Sequence, residues 1–116
     1  MIQRDEPTAE PHLHYSKLPK KIDHKYVLLL DPMLATGGSA CTAIRVLLDE
    51  GVRAERIVFL TVLSCPEGIA AVTSAHPEVT IVTCAIDDGL NDSKFIVPGV
   101  GDFGDRFFGT DDGPGA

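Results

Sequence analysis

The sequence predicts an α/β fold with an open parallel sheet of Rossmann-like topology. Three observations carry that prediction. Largely apolar segments of strand length occupy residues 26–30, 56–63 and 79–84; the first is unbroken, as in the interior of a parallel sheet, and 56–63 reads as a second interior strand. Segments 39–50 and 67–76 lie between them and repeat their apolar residues at helical spacing. The β-α-β-α-β order that results makes the three strands parallel when the crossovers take their usual right hand.

Each element has its own signal. Residues 1–11 are polar and Pro-bounded, with Arg4, Asp5 and Glu6. Residues 12–18 alternate apolar and polar, as a half-exposed edge strand does, with Leu13 and Tyr15 on one face. His12 and His14 fall on the other face. As i, i+2 neighbours they have metal-ligand spacing, but no third ligand is near, so they read as surface histidines. After strand 26–30, Ser39 suits an N-cap, the helix runs to about Glu50, and Gly51 suits the C′ position. Ala40, Ala43, Ile44, Leu47 and Leu48 share its apolar face. Following strand 56–63, Ser64-Cys65-Pro66-Glu67 reads as a capping box that starts the next helix, and Pro77 stops it. Residues 87–94 form a polar turn region, 95–97 a short strand and 98–105 a Gly-rich loop. The domain is expected to span 1–110, and 111–116, acidic with glycines and a proline, to be a disordered tail.

Composition limits the rest. A chain of 116 residues has room for one domain and one core. Hydrophobic residues make up 44% and charged ones 23%, ordinary for a globular chain. No apolar run approaches the roughly 18 residues of a membrane span, and no secretory signal is seen. Cys41, Cys65 and Cys84 lie in apolar surroundings, lack any ligand spacing and read as buried reduced thiols of a cytosolic protein. The net charge of −7 gives no footprint for generic nucleic-acid binding. A polyanionic ligand would have to be held locally, by oriented amides, placed arginines or a divalent metal. One feature of the sheet is unresolved by this count: two helices of one crossover hand cover a single face. The other face is expected bare, to be covered by a partner subunit or a further segment.

Two stretches carry chemistry. Asp31, Pro32, Met33, Leu34, Ala35, Thr36, Gly37, Gly38 and Ser39 follow a strand and open a helix. Ligands of such sheets bind at the carboxyl ends of the strands, and small residues at a helix N-terminus can cradle a phosphate with backbone N–H groups. Asp31 repels a phosphate and suits neutral hydroxyls such as those of a ribose. A Gly-Gly turn alone is equally a turn without a ligand. The second stretch is 95–106, with Pro98 and glycines at 99, 101 and 104. Its open backbone suits the edges of a planar nucleobase, with Ile96 or Phe103 as an apolar wall and Asp102 toward the sugar or a metal. Asp105 and Arg106 read as a local ion pair. Taken alone, this loop is more often an irregular surface turn than a ligand site.

Together the strings DPMLATGGS (31–39) and FIVPGVGDFGDRFFGT (95–110) resemble the PRPP loop and the uracil loop of uracil phosphoribosyltransferases, within the type I phosphoribosyltransferases. Residues 2–8, IQRDEPT, resemble a further family segment, so the likeness covers nearly the whole chain. It implies a phosphoribosyltransferase topology and the reaction of uracil with PRPP to give UMP and diphosphate in pyrimidine salvage. It implies that Asp31 binds the ribose hydroxyls, that Pro32, Met33 and Leu34 line the PRPP site, and that Ala35, Thr36, Gly37, Gly38 and Ser39 hold the 5′-phosphate. Arg4 would meet the diphosphate. Uracil would lie against Ile96, Gly101, Asp102 and Phe103, with Asp102 also contacting PRPP and its Mg2+. Asp31 and Asp102 are the implied catalytic residues. A cytoplasmic homo-oligomer, dimer or tetramer, is implied, and GTP is admitted as an effector. Family members carry a long segment ahead of the Arg4 motif, so this chain resembles the C-terminal portion, an N-terminally truncated domain. Two alternatives stay open: a PRTase-like binding or regulatory module with impaired chemistry, and the distal domain of a uridine kinase fusion.

Overall fold

A computed structural model describes residues 2–4, 11–13, 18–19 and 21–109, with the backbone alone for 2–4 and 11–13. The expected tail at 111–116 and most of the expected strand at 12–18 lie outside the described residues. The elements in chain order are β1 (Ile2–Arg4), β2 (Pro11–Leu13), β3 (Val27–Leu34), α1 (Gly38–Asp49), β4 (Ile57–Ser64), α2 (Pro66–Ala75), β5 (Thr80–Ile86), β6 (Gly89–Leu90), β7 (Ile96–Val97) and α3 (Phe103–Phe108). The central sheet is parallel, in the order β3-β4-β5. β1 and β2 form an antiparallel ribbon alongside α1, and β6 and β7 form a second one.

The α/β architecture and the parallel sheet are as expected. The strands are buried on one face only. Ile57, Phe59, Ile44, Leu47 and Val72 make a core between that face and the two helices. On the opposite face Leu28 is 64% exposed, Leu30 70%, Val62 55% and Ile86 58%. Continuous apolar runs therefore mark strands whose second face is apolar yet uncovered among the described residues. The sheet argument above anticipated this bare face; the reading of 26–30 and 56–63 as interior strands did not.

Two cap assignments change. The N-cap of α1 is Gly37, at φ 88°, rather than Ser39. The C-terminal end is as read: Gly51 stands at φ 92°, its N–H donates to Leu48 O at 3.0 Å, and Val52 N–H donates to Leu47 O at 3.1 Å. That pair of bonds is a Schellman motif. At α2 no capping box forms. Cys65 is the N-cap, without a side-chain bond. Ser64 instead turns its hydroxyl across the sheet, 3.0 Å from Thr83 Oγ1 and 3.2 Å from Ala85 O, which leaves Glu67 free for another partner.

Candidate active site

The site grows from the end of β3. Register with β4 continues through Asp31↔Thr61 and Met33↔Leu63 to Leu34↔Ser64, so Asp31 stands within the strand rather than at its tip. Pro32 is accommodated because, among the described residues, no strand pairs with β3 on the side away from β4, so a missing N–H costs least there. Asp31 Oδ1 accepts the Met33 N–H at 2.9 Å, which fixes the carboxylate.

The turn 35–37 then opens α1. Gly37 takes its left-handed conformation under close pressure: a Cβ there would meet the Ala71 Cβ at 2.9 Å. Thr36 Oγ1 accepts the Gly38 N–H at 3.2 Å. First-turn amides have no partner within a helix, and Ser39 and Ala40 of this turn line the cleft described below. From behind, α2 presses on the turn. Cys65 Sγ donates to Ala35 O at 3.1 Å, and a Cβ on Gly68 would come within 2.5 Å of Ala35 O and 2.9 Å of Leu34 O. The backbone of this cradle is therefore fixed from both sides.

The facing wall comes from β6, β7 and the loop beyond. Asn91 Oδ1 accepts the amides of Ser93 at 2.9 Å and Phe95 at 3.0 Å, and Lys94 between them takes φ 67°. The peptide Val97-Pro98 is cis, and Gly99 and Gly101 have φ 53° and 74°. A Cβ on Gly99 would collide with Ile96 O. The Gly-rich segment is not irregular throughout, as the sequence suggested, because α3 begins inside it. Asp102 caps α3, its Oδ1 accepting the Asp105 N–H at 3.0 Å, and Gly109 closes it at φ 67°. Arg106 Nε donates to Val100 O and braces the loop.

Between the walls lies a cleft of about 240 Å³. Asp31, Met33, Leu34, Ala35, Thr36, Gly37 and Ser39 line one side; Ile96, Gly101, Asp102 and Phe103 line the other. The two stretches singled out in the sequence, some sixty residues apart, thus meet in one cleft. Pro32 and Gly38 do not reach its surface. Arg4 lies in β1, and its side chain is outside the described residues. Phe95 and Gly104 of the second stretch also line the cleft, as do Ala40 and Lys94, which lie outside both stretches. For Lys94 no sequence signal existed, since its place depends on the left-handed turn that Asn91 organises.

Among the described residues no group of three or more His, Cys, Asp or Glu could hold a metal ion, and no helix is long and apolar enough to cross a membrane.

A family model described as uracil phosphoribosyltransferase matches residues 1–110. The chain belongs to the uracil phosphoribosyltransferase family. Among curated members, uracil phosphoribosyltransferase 1 of Schizosaccharomyces pombe is 56% identical over 110 residues, which are 95% of this chain and 50% of that protein. The uracil phosphoribosyltransferase of Saccharomyces cerevisiae is 57% identical over 108 residues, 93% of this chain and 50% of the relative. The solved structure of the AQ2163 protein from Aquifex aeolicus superposes with a TM-score of 0.81 at 36% identity, covering 93% of this chain and 50% of that one. The chain spans about half the length of the curated uracil phosphoribosyltransferases it matches, and corresponds to their C-terminal portion.

Proposed function

We propose that this chain supplies the PRPP- and uracil-binding portion of a uracil phosphoribosyltransferase, which transfers the phosphoribosyl group of PRPP to uracil and releases diphosphate, giving UMP. The observation that carries the proposal is the single cleft in which a phosphate cradle with an adjacent carboxylate faces a Gly-rich, partly apolar wall. The turn amides and the Thr36 and Ser39 hydroxyls bind the 5′-phosphate, supported by the positive end of α1. Asp31, oriented by the Met33 N–H, accepts the ribose hydroxyls. Ile96 and Phe103 flank the base, whose polar edge is read by the backbone around Gly101 and Asp102. Cytosine is rejected there because its 4-amino group would oppose a backbone donor and leave a buried group unpaired.

No protein triad is needed. C1′ develops positive charge as diphosphate leaves, and catalysis rests on alignment and on stabilising that charge. Asp31 and Asp102 are the carboxylates placed to do so, and Arg4 belongs to the diphosphate end. The donor set fits a metal brought in by the substrate rather than a resident one, since the cleft offers separate carboxylates and no cluster. Mg2+ held by the PRPP phosphates and Asp102 would neutralise the leaving group. Three free thiols support a cytoplasmic, nucleotide-handling enzyme. The bare sheet face supports association into a homo-oligomer, dimer or tetramer, and GTP remains a candidate effector.

Calorimetric titration with PRPP and Mg2+ tests this reading. The unaltered chain should bind, and Asp31→Asn should raise Kd roughly tenfold to hundredfold through loss of charge-assisted bonds. Absence of binding, or an unchanged Kd in Asp31→Asn, would defeat it.

A further inference from the structure

We infer that Glu67 and Asp87 are positioning residues for the base, two carboxylates that pin the base-side wall of the cleft to the frame of the sheet. The inference rests on the functional reading above and adds residues that lie outside the cleft lining. Glu67 is on the first turn of α2, and its Oε2 accepts the Leu90 N–H of β6 at 2.8 Å. Contact is close enough that a Cβ on Gly89 would lie 3.0 Å from the same oxygen. Asp87 directly follows β5, and its Oδ2 accepts the Gly99 N–H at 2.9 Å.

These two bonds hold opposite ends of one unit. Leu90 begins the β6–β7 hairpin and Gly99 begins the loop that carries Gly101, Asp102 and Phe103. Within the unit, Leu90 pairs with Ile96 and Gly89 with Val97, so fixing the two ends fixes Ile96 and the loop as well. One anchor sits on an element that also holds the cradle, since α2 presses Gly68 against Ala35 O; the other follows β5, which joins the sheet through β4. The first turn of α2 therefore touches both walls, the cradle through Gly68 and the base wall through Glu67. Because the pins act on backbone amides, any acceptor of the same reach keeps them.

The test uses the full chain with Glu67→Ala, Asp87→Ala, the conservative Glu67→Gln and Asp87→Asn, and Gly89→Ala, which pushes on the Glu67 carboxylate from the other side. Amide hydrogen exchange at Leu90 and Gly99, followed without ligand, should quicken in the alanine variants and not at Ser39 or Ala40. Uracil Kd in the presence of PRPP should rise roughly tenfold in each alanine variant, PRPP Kd should hold, and Gln and Asn should restore uracil binding. Equal weakening of both ligands would mean general loosening and overturn the inference, as would normal uracil binding in the alanine variants. If the unaltered chain binds neither ligand, the functional reading falls and the positioning role with it. If it binds both while the variants bind uracil normally, only the present inference falls.

Discussion

The two walls of the cleft are made alike and fastened differently. Each is a glycine-bearing turn that follows a strand and opens a helix. The cradle turn is backed by a 12-residue helix whose Ile44 is wholly buried, and by Gly68 and Cys65 of α2. The base wall leads into a six-residue helix with no buried residue, whose Phe107 and Phe108 are 71% and 74% exposed. Ile96 of this wall is buried against Leu63 and Cys65, but the loop beyond it is held by polar bonds: backbone N–H groups donate to Glu67, Asp87 and Asn91, and Arg106 donates to Val100 O. Steric backing makes the cradle rigid but intolerant of change. Polar pinning leaves the loop beyond Ile96 the more easily loosened, which on the proposed function suits a wall that admits and releases a base.

The largest effect that would sharpen this contrast is on stability. Ile44→Ala behind the cradle should cost about 2–5 kcal/mol, read by urea denaturation. Phe107→Ala on the base side should stay within about 0.5 kcal/mol, as an exposed position does. A comparable loss at both sites would show that α3 is packed as firmly as α1.

Next comes a pair of glycines. Gly68→Ala must drive a methyl into Ala35 O and Leu34 O, at a cost of about 1–3 kcal/mol, and should lower PRPP affinity because the cradle backbone shifts. Gly99→Ala is blocked by Ile96 O and by a left-handed φ, yet its strain falls on the base wall alone. It should weaken uracil binding while leaving PRPP binding intact. Reversal of that ligand pattern would break the division of labour between the walls.

The same contrast explains what could be read in advance. The cradle was legible because strand, carboxylate, small-residue turn and helix are consecutive in the chain. So was the bare sheet face, since counting crossovers needs only the order of elements. Contacts between distant residues were not legible. Ser64 and Glu67 have the spacing of a capping box, but Ser64 finds Thr83 and Ala85, and Glu67 finds Leu90. Local propensity lost to partners far along the chain. Ser39 yielded the N-cap to Gly37 for a related reason, because the close approach of Ala71 leaves room only for a glycine. In the base wall, the start of α3 was hidden by the glycines around it, although Asp102 three residues before Asp105 is the kind of cap that begins a helix.

The smallest effect compares two thiols on opposite faces of the same sheet. Cys41 is on α1, on the covered side, with Sγ 3.9 Å from Ala71 O. Burial pushes its pKa up, and Arg45 offsets this only in part. Cys84, expected from its apolar surroundings to be buried, is exposed because it lies on β5 on the uncovered face of the sheet. Because the thiolate is the nucleophile, raising the pKa of Cys41 leaves less of it ionised at any given pH. Alkylation by iodoacetamide, followed by mass spectrometry, should therefore reach Cys84 first, with the rate profile of Cys41 displaced toward higher pH. Arg45→Ala removes the opposing charge and should displace that profile further in the same direction, while Cys84 is unchanged. Equal rates for the two thiols would mean that Cys41, half-buried between α1 and α2, is as open to the reagent as Cys84, and the close packing of α1 on α2 behind the cradle would then be wrong.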